Sequence, residues 1–133
     1  MTTPMIFALG SWLEEKSVEL GLPVILMDDL QPTGESMSLI QTASPITEKE
    51  YINGSRQCRI DVDIVAQGSV ESRRNLIEYL TTLVYMFENL KDYTLDDEHR
   101  ILRCSSTAPS IRMRTENDML RYAISVSITY KEN

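Results

Sequence analysis

SVESRRNLIEYLTTLVYMFENL, residues 69–90, decides how this chain folds. Leu76, Leu80, Leu83, Phe87 and Leu90 recur at alternating steps of four and three, the spacing that stacks side chains along one face of an α-helix. Ile77 and Val84 widen the stripe, and Glu71, Asn75, Glu78, Thr82, Tyr85 and Asn89 follow the same steps on the opposite, wet face. Ser69, after the breaker Gly68, stands where a cap is wanted. Only about three heptads of a coiled coil would fit, and strand-like stretches lie on both sides, so the segment reads as a helix laid across its own sheet.

Toward the C-terminus, an acidic connection over 91–100 leads to a strand at 101–107 carrying Leu102 and Cys104 on one side. Pro109 interrupts it, residues 111–115 are again extended, and Glu116, Asn117 and Asp118 have turn chemistry. The last strand, from about Met119 to Tyr130, has the cleanest alternation: Leu120, Tyr122, Ile124, Val126, Ile128 and Tyr130 against Arg121, Ala123, Ser125, Ser127 and Thr129.

Toward the N-terminus, a strand reaching Gln67 alternates Cys58, Ile60, Val62 and Ile64 with Arg59, Asp61 and Asp63. It is entered through a turn at Asn53 and Gly54, whose Asn-Gly-Ser spelling reads as turn chemistry alone. The polar stretch 43–50 is expected to be an exposed loop, a place where interaction surfaces and plain connectors both occur. Two more strands are expected, at 24–27, ended by Asp28 and Asp29, and at 36–42, with turn residues at 31–35 between them. The first helix starts at Thr3-Pro4, puts Met5, Ile6, Leu9, Trp12, Leu13 and Leu20 on one face, and closes at Gly21. Trp12 lies inside that stripe, which suits core packing better than an interface anchor. The sum is an α+β fold of order α-β-β-β-α-β-β: a mostly antiparallel sheet of about five strands with two helices packed on one face.

The 133 residues suit a single domain, 1–133, and no internal repeat or low-complexity linker stands out. No apolar run is long enough to cross a bilayer and no signal peptide is visible, so a cytosolic origin is expected. Cys58 and Cys104 read as small core residues rather than a bridge. A net charge of −7 argues against wrapping nucleic acid, which draws on clustered Lys and Arg. His99, the only histidine, stands among Asp97, Glu98 and Arg100 and suits an exposed turn. A metal site from Asp96, Asp97, Glu98 and His99 lacks the regular ligand spacing, and a nucleophile pair of His99 with either cysteine has no support in the pattern. Asp61 and Asp63 fit a wet sheet face without catalysis. No catalytic, cofactor-binding or metal residue is assigned.

The whole layout resembles the minor capsid and tail-terminator proteins of long-tailed bacteriophages, especially those of Gram-positive hosts. The likeness rests on five stretches in order: the first helix running into Gly21, Leu22, Pro23 and Val24; the turn from Tyr51 to Arg56 before an alternating strand; the long second helix; Ala108 and Pro109 after a strand; and the final strand from Tyr122 to Tyr130. The resemblance implies a structural virion protein of the neck, assembled in the host cytoplasm, without enzymatic activity or cofactor. Such a protein forms a six-fold ring on the head-proximal end of the tail tube, ends tube growth and presents the tail to the head. Its partners would be further copies of itself, the tail tube protein and a head-closure or connector protein; DNA would pass through without sequence-specific binding, and no membrane is involved. A head-completion or joining role is the alternative within that reading. A small cytosolic α+β enzyme or ligand-binding module, with a pocket between long helix and sheet, is the alternative outside it. For the subunit interface, opposite charge nominates Arg112, Arg114 and Arg121 against Asp96, Asp97 and Glu98 of the next copy.

Overall fold

Two fourteen-residue strands form the spine of the computed structural model, which describes residues 3–27, 30, 34–114 and 118–133. They are β4 (Arg56–Ser69) and β8 (Met119–Glu132), antiparallel over their whole length, with Val62 opposite Val126 near the middle. Even-numbered residues face even-numbered residues across this ladder, and on that face Ile60, Val62, Ile64, Leu120, Ile124, Val126, Ile128 and Tyr130 are all buried. The alternation is legible because one face meets a core and the other does not.

Each spine strand is flanked on its outer edge by two shorter strands placed end to end. Along β4 run β2 (Ser36–Gln41) and β3 (Ile46–Glu50), with β1 (Ile25–Leu26) outside β2. Along β8 run β6 (His99–Ser106) and β7 (Ser110–Arg114), with β5 (Tyr93–Thr94) outside β6. Helix α1 (Met5–Glu19) precedes β1, and helix α2 (Arg73–Glu88) precedes β5. Among the described residues the fold is α+β with a sheet of eight strands rather than about five, and the sheet is mixed because β1 and β2 are parallel while the remaining pairs are antiparallel.

The chain therefore contains one unit twice, a helix followed by four strands, which the sequence reading did not detect. The halves match in element length: 15 and 16 residues for the helices, two and two, six and eight, five and five, fourteen and fourteen for the strands. They match in irregularity too, since β3 bulges between Thr47 and Lys49 and β7 bulges between Ile111 and Met113. A trace survives in the connections, where Thr42-Ala43-Ser44-Pro45 before β3 is echoed by the one-residue-shorter Thr107-Ala108-Pro109 before β7. The Thr42 amide donates to the Asp61 carbonyl at 3.1 Å, and the Thr107 amide donates to the Ser125 carbonyl at 2.9 Å. The halves diverge at their outermost strands, β1 being parallel to its neighbour and β5 antiparallel. They diverge again in the helices, since α2 lies across β4, β6 and β8 while α1 lies against β1.

Leu76, Leu80, Leu83 and Phe87 of α2 join Met5, Ile6, Leu9 and Leu13 of α1 in one buried cluster with the inward residues of β4 and β8. The wet side of α2 is exposed as its spacing predicted, but Ile77 is exposed as well and does not widen the stripe. The α-helix also starts later than expected. Strand β4 runs through Gly68 to Ser69, a 3-10 turn occupies Val70–Ser72, and the Ser69 hydroxyl meets the Ser72 hydroxyl instead of capping an amide. Gly68 is not a breaker but a point of close approach: a Cβ there would lie 3.1 Å from Ser72 Cβ and 3.2 Å from Leu76 Cδ2.

Helix α1 is preceded by Pro4 without a side-chain cap. It ends as expected at Gly21 (φ 74), whose amide bonds Val18 O while that of Leu22 bonds Ser17 O, closing the last turn. Leu20 is exposed, and the buried residue near that end is Ser17, whose hydroxyl donates to Glu14 O and accepts the Ile25 amide. Trp12 is half-buried, edge-on to Phe87, with Nε1 donating to Tyr93 Oη at 3.2 Å. The expected loop at 43–50 contains β3, and the acidic connection contains β5; neither strand has a buried side, so neither alternates. Strand β6 buries His99 and Ile101, and after a bulge between Ile101 and Arg103, whose extra residue is Leu102, its less exposed side passes to Leu102, Cys104 and Ser106. The expectations at Asp28 and Asp29, at 31–33 and at 115–117 lie outside the described residues.

Candidate functional site

Every residue of β3 and of β7 is exposed, in a protein whose other long strands each bury side chains. The reason lies in the topology. Strand β3 pairs with the first residues of β4 and β7 with the first residues of β8, and since β4 and β8 are antiparallel the two short strands lie at opposite ends and on opposite edges of the spine. Strands β1 and β5 cover the outer sides of β2 and β6, whereas among the described residues β3 and β7 pair only with the spine. Apolar side chains are exposed on both, Ile46 on one and Ile111 and Met113 on the other, and Ile52 projects fully into solvent at the turn between β3 and β4. That turn is held by Gly54 (φ 90) and by Asn53 Oδ1, which accepts both the Ser55 amide and its hydroxyl.

The nominated interface residues fall into two groups that one copy does not bring together. Arg112 and Arg114 are exposed on β7, the first donating to Ser125 Oγ at 3.2 Å and the second to Asp118 at 2.9 Å. Arg121 is half-buried, its Nε donating to Gln67 Oε1 at 2.6 Å. The acidic group lies at the other end of β8, in the turn before His99, which pairs with Glu132, while Arg114 pairs with Leu120. Glu98 Oε2 accepts the Thr3 amide at 2.7 Å, and the backbone carbonyls of Asp97 and Glu98 accept from Asn133. Asp96 folds the turn: its Oδ1 accepts the Glu98 amide at 2.8 Å, the His99 amide at 2.7 Å and His99 Nδ1 at 2.9 Å. Burial alone would push this carboxyl up, but those donors together hold it below its ordinary range. Asp96 is thus engaged within its own chain, though both it and Asp97 are exposed.

His99 is not in an exposed turn but buried at 1% exposure, tilted against the Tyr130 ring. With Nδ1 given to Asp96, its Nε2 lies 3.4 Å from Glu132 Oε2 without hydrogen-bond geometry. Glu132 in turn holds the Arg56 guanidinium, raising its pKa above the usual arginine value. The cluster joins the start of β6 to the one end of the spine ladder where the start of β4 meets the end of β8, a structural task that accounts for its charges. Burial, followed by the charges of Cys58 and Glu132, also pushes the Tyr130 hydroxyl up.

On the odd-numbered face of the spine, a groove of about 520 Å³ is lined by Thr42, Asp61, Asp63, Ser105, Thr107 and Ser127 among others. Asp61 and Asp63 each accept a hydroxyl from the facing strand, Ser127 and Ser125 respectively, both at 2.7 Å. Both cysteines are free, Cys58 buried and Cys104 half-buried, with burial raising the Cys104 thiol to about 12. Among the described residues no group of three or more His, Cys, Asp or Glu side chains is placed to hold a metal ion, and no helix is long and apolar enough to cross a membrane. No protein-family model matches the chain, and no curated protein matches it significantly.

Proposed function

We propose that this chain is a structural protein of the neck of a long-tailed bacteriophage. Copies join head to tail in a six-fold ring at the head-proximal end of the tail tube, where the ring ends tube growth and helps join tail to head. The observation that carries this reading is the diagonal placement of β3 and β7, two wholly exposed strands at opposite ends and opposite edges of one rigid spine. Natural sheets blunt or cover edges that are not used, so a pair left open in this arrangement suits a surface that repeats from copy to copy. Contacts between unlike surfaces close into rings when the rotation per copy divides a full turn, which self-matching contacts do not do. The resemblance of the sequence to tail terminators supplies the neck, the tube and the six-fold count. Both helices then cover one face of the sheet, and the acidic, hydroxyl-rich face around Asp61 and Asp63 suits a passage for DNA, since its charge discourages phosphate from sticking. No catalytic step belongs to this role, and the protein travels in the virion.

The test is negative-stain electron microscopy of a lysate in which this one gene is deleted. Overlong tubes without heads are the expected result. Full heads beside free tails of normal length would replace tube termination by head completion, and unchanged infectious particles would overturn the neck reading altogether.

A further inference from the structure

The repeated unit places β3 and β7 in equivalent positions, and equivalence makes their difference informative. Aligned through their bulges, Glu48 of β3 corresponds to Arg112 of β7 and Glu50 to Arg114. Two strands of the same length, the same irregularity and the same exposure thus carry opposite charges at matched places. Lys49 stands between the two glutamates where β7 has Met113; it pairs across from Gln57 as Met113 pairs across from Arg121, on the other side of the sheet from Glu50 and Arg114.

We propose that the free edge of β3 in one copy pairs with the free edge of β7 in the next, with Glu48 and Glu50 facing Arg112 and Arg114. The occupant of each edge is a second copy of this chain, and the charges say which edge of it. A β3 edge against another β3 sets glutamate against glutamate, and β7 against β7 sets arginine against arginine; only the unlike pairing is attractive, so like-to-like dimers are disfavoured. Within one chain β3 and β7 run in opposite directions, because each is antiparallel to a spine strand and the spine strands are antiparallel to each other. Copies set side by side in the same orientation therefore bring the two edges together antiparallel, ready for ladder hydrogen bonds. The present partners of the arginines, Ser125 and Asp118, are exposed contacts that hold little and yield to the new ones. The acidic half of the contact is thus Glu48 and Glu50 rather than Asp96, Asp97 and Glu98. This inference deepens the ring reading and rests on it for the number of copies.

The test is sedimentation of the purified full chain and of two charge variants, Glu48→Arg with Glu50→Arg, and Arg112→Glu with Arg114→Glu. All four positions are exposed, and far-UV circular dichroism checks that each variant is folded. Wild type is expected to assemble, and each variant alone to associate more than about 100-fold more weakly, since both of its edges then carry one sign. An equimolar mixture of the two variants is expected to assemble again in alternation, because each supplies the edge the other lacks. A wild-type chain that stays monomeric at about 100 μM overturns the proposal. So does a Glu48→Arg, Glu50→Arg variant that assembles like wild type, or a mixture of folded variants that stays monomeric. Recovery by mixing alongside a gene deletion that leaves particles unchanged would keep the contact and discard the neck role.

Discussion

His99 draws four segments together at the end of the spine, and its surroundings set how the protein answers acid. Its ring donates to Asp96, whose carboxyl is held below the ordinary range. A folded-state pKa below the unfolded value of about 3.9 means the native state binds fewer protons, so the stabilisation is present above that pH and is lost as pH falls through the depressed value. An Asp96→Asn variant should therefore lose stability at neutral pH and show a shallower decline than wild type below about pH 4. Denaturant titrations at several pH values would show this; curves that stay parallel would remove Asp96 from the acid response. Gly68 makes a second case. Its φ is not positive, so the need for glycine is one of space against Ser72 and Leu76. Gly68→Ala should cost about 1–3 kcal/mol, read from the shift in urea midpoint, because Ser72 Cβ, fixed to its backbone, and the buried Leu76 tip must give way. Neither role was legible in the sequence. The run Asp-Asp-Glu-His-Arg looks like a solvated turn, and only the register of β6 on β8 turns its histidine inward. Gly68 before a serine looks like a breaker, and only the crossing of α2 over β4 makes it a contact.

At the level of elements, legibility followed burial. Strands β4 and β8 and the helix α2 were readable because each has one face in the core and one outside it, which writes a period into the sequence. Strands β3 and β7 have no buried face, so in the sequence β3 reads as loop and β7 only as an extended stretch. In β6 the extra residue Leu102 moves the inward side from odd to even positions, so the buried His99 and Ile101 fall outside the alternation of Leu102 and Cys104. The readable core gives a sharp test of the fold. Val62 lies near the centre of the ladder, buried in the one cluster that also holds residues of both helices, and Val62→Asp should cost at least about 3 kcal/mol by burying an unpaired carboxylate. A urea midpoint that implies less than about 1 kcal/mol would mean that this face is not the core. Of the two edges proposed to pair, the charges of Arg112 and Arg114 are readable in the sequence, while the matched positions of Glu48 and Glu50 become apparent only when one unit is laid on the other.

For the whole molecule, the doubled unit has a consequence for connectivity. Because element order is the same in both halves, a chain that began at α2, ran through β8, and continued into α1 to β4 would still read helix, four strands, helix, four strands. The junction is short: the Thr3 amide bonds the Glu98 carboxylate, and the Asn133 amide bonds the Glu98 backbone carbonyl, so both residues sit on one turn. The opening is also accessible, since Ser69 and Glu71 are exposed and the α-helix proper starts only at Arg73. A permutant opened between Ser69 and Val70, with 133 joined to 3 by a short Gly-Ser linker, should keep the native far-UV spectrum and a single cooperative thermal transition. It should be less stable than the parent by about 1–3 kcal/mol, because β4 and α2 lose the link that now holds them in register across Gly68. Cutting instead between Val62 and Asp63 interrupts the ladder at its centre and should leave no cooperative unfolding at all. If the first permutant also failed to fold, the two units would not be interchangeable in folding order, and the symmetry of the sheet would be a feature of the finished structure alone. If it folds, β3 and β7 keep their places and charges, and the permutant should assemble with itself as is expected of the parent.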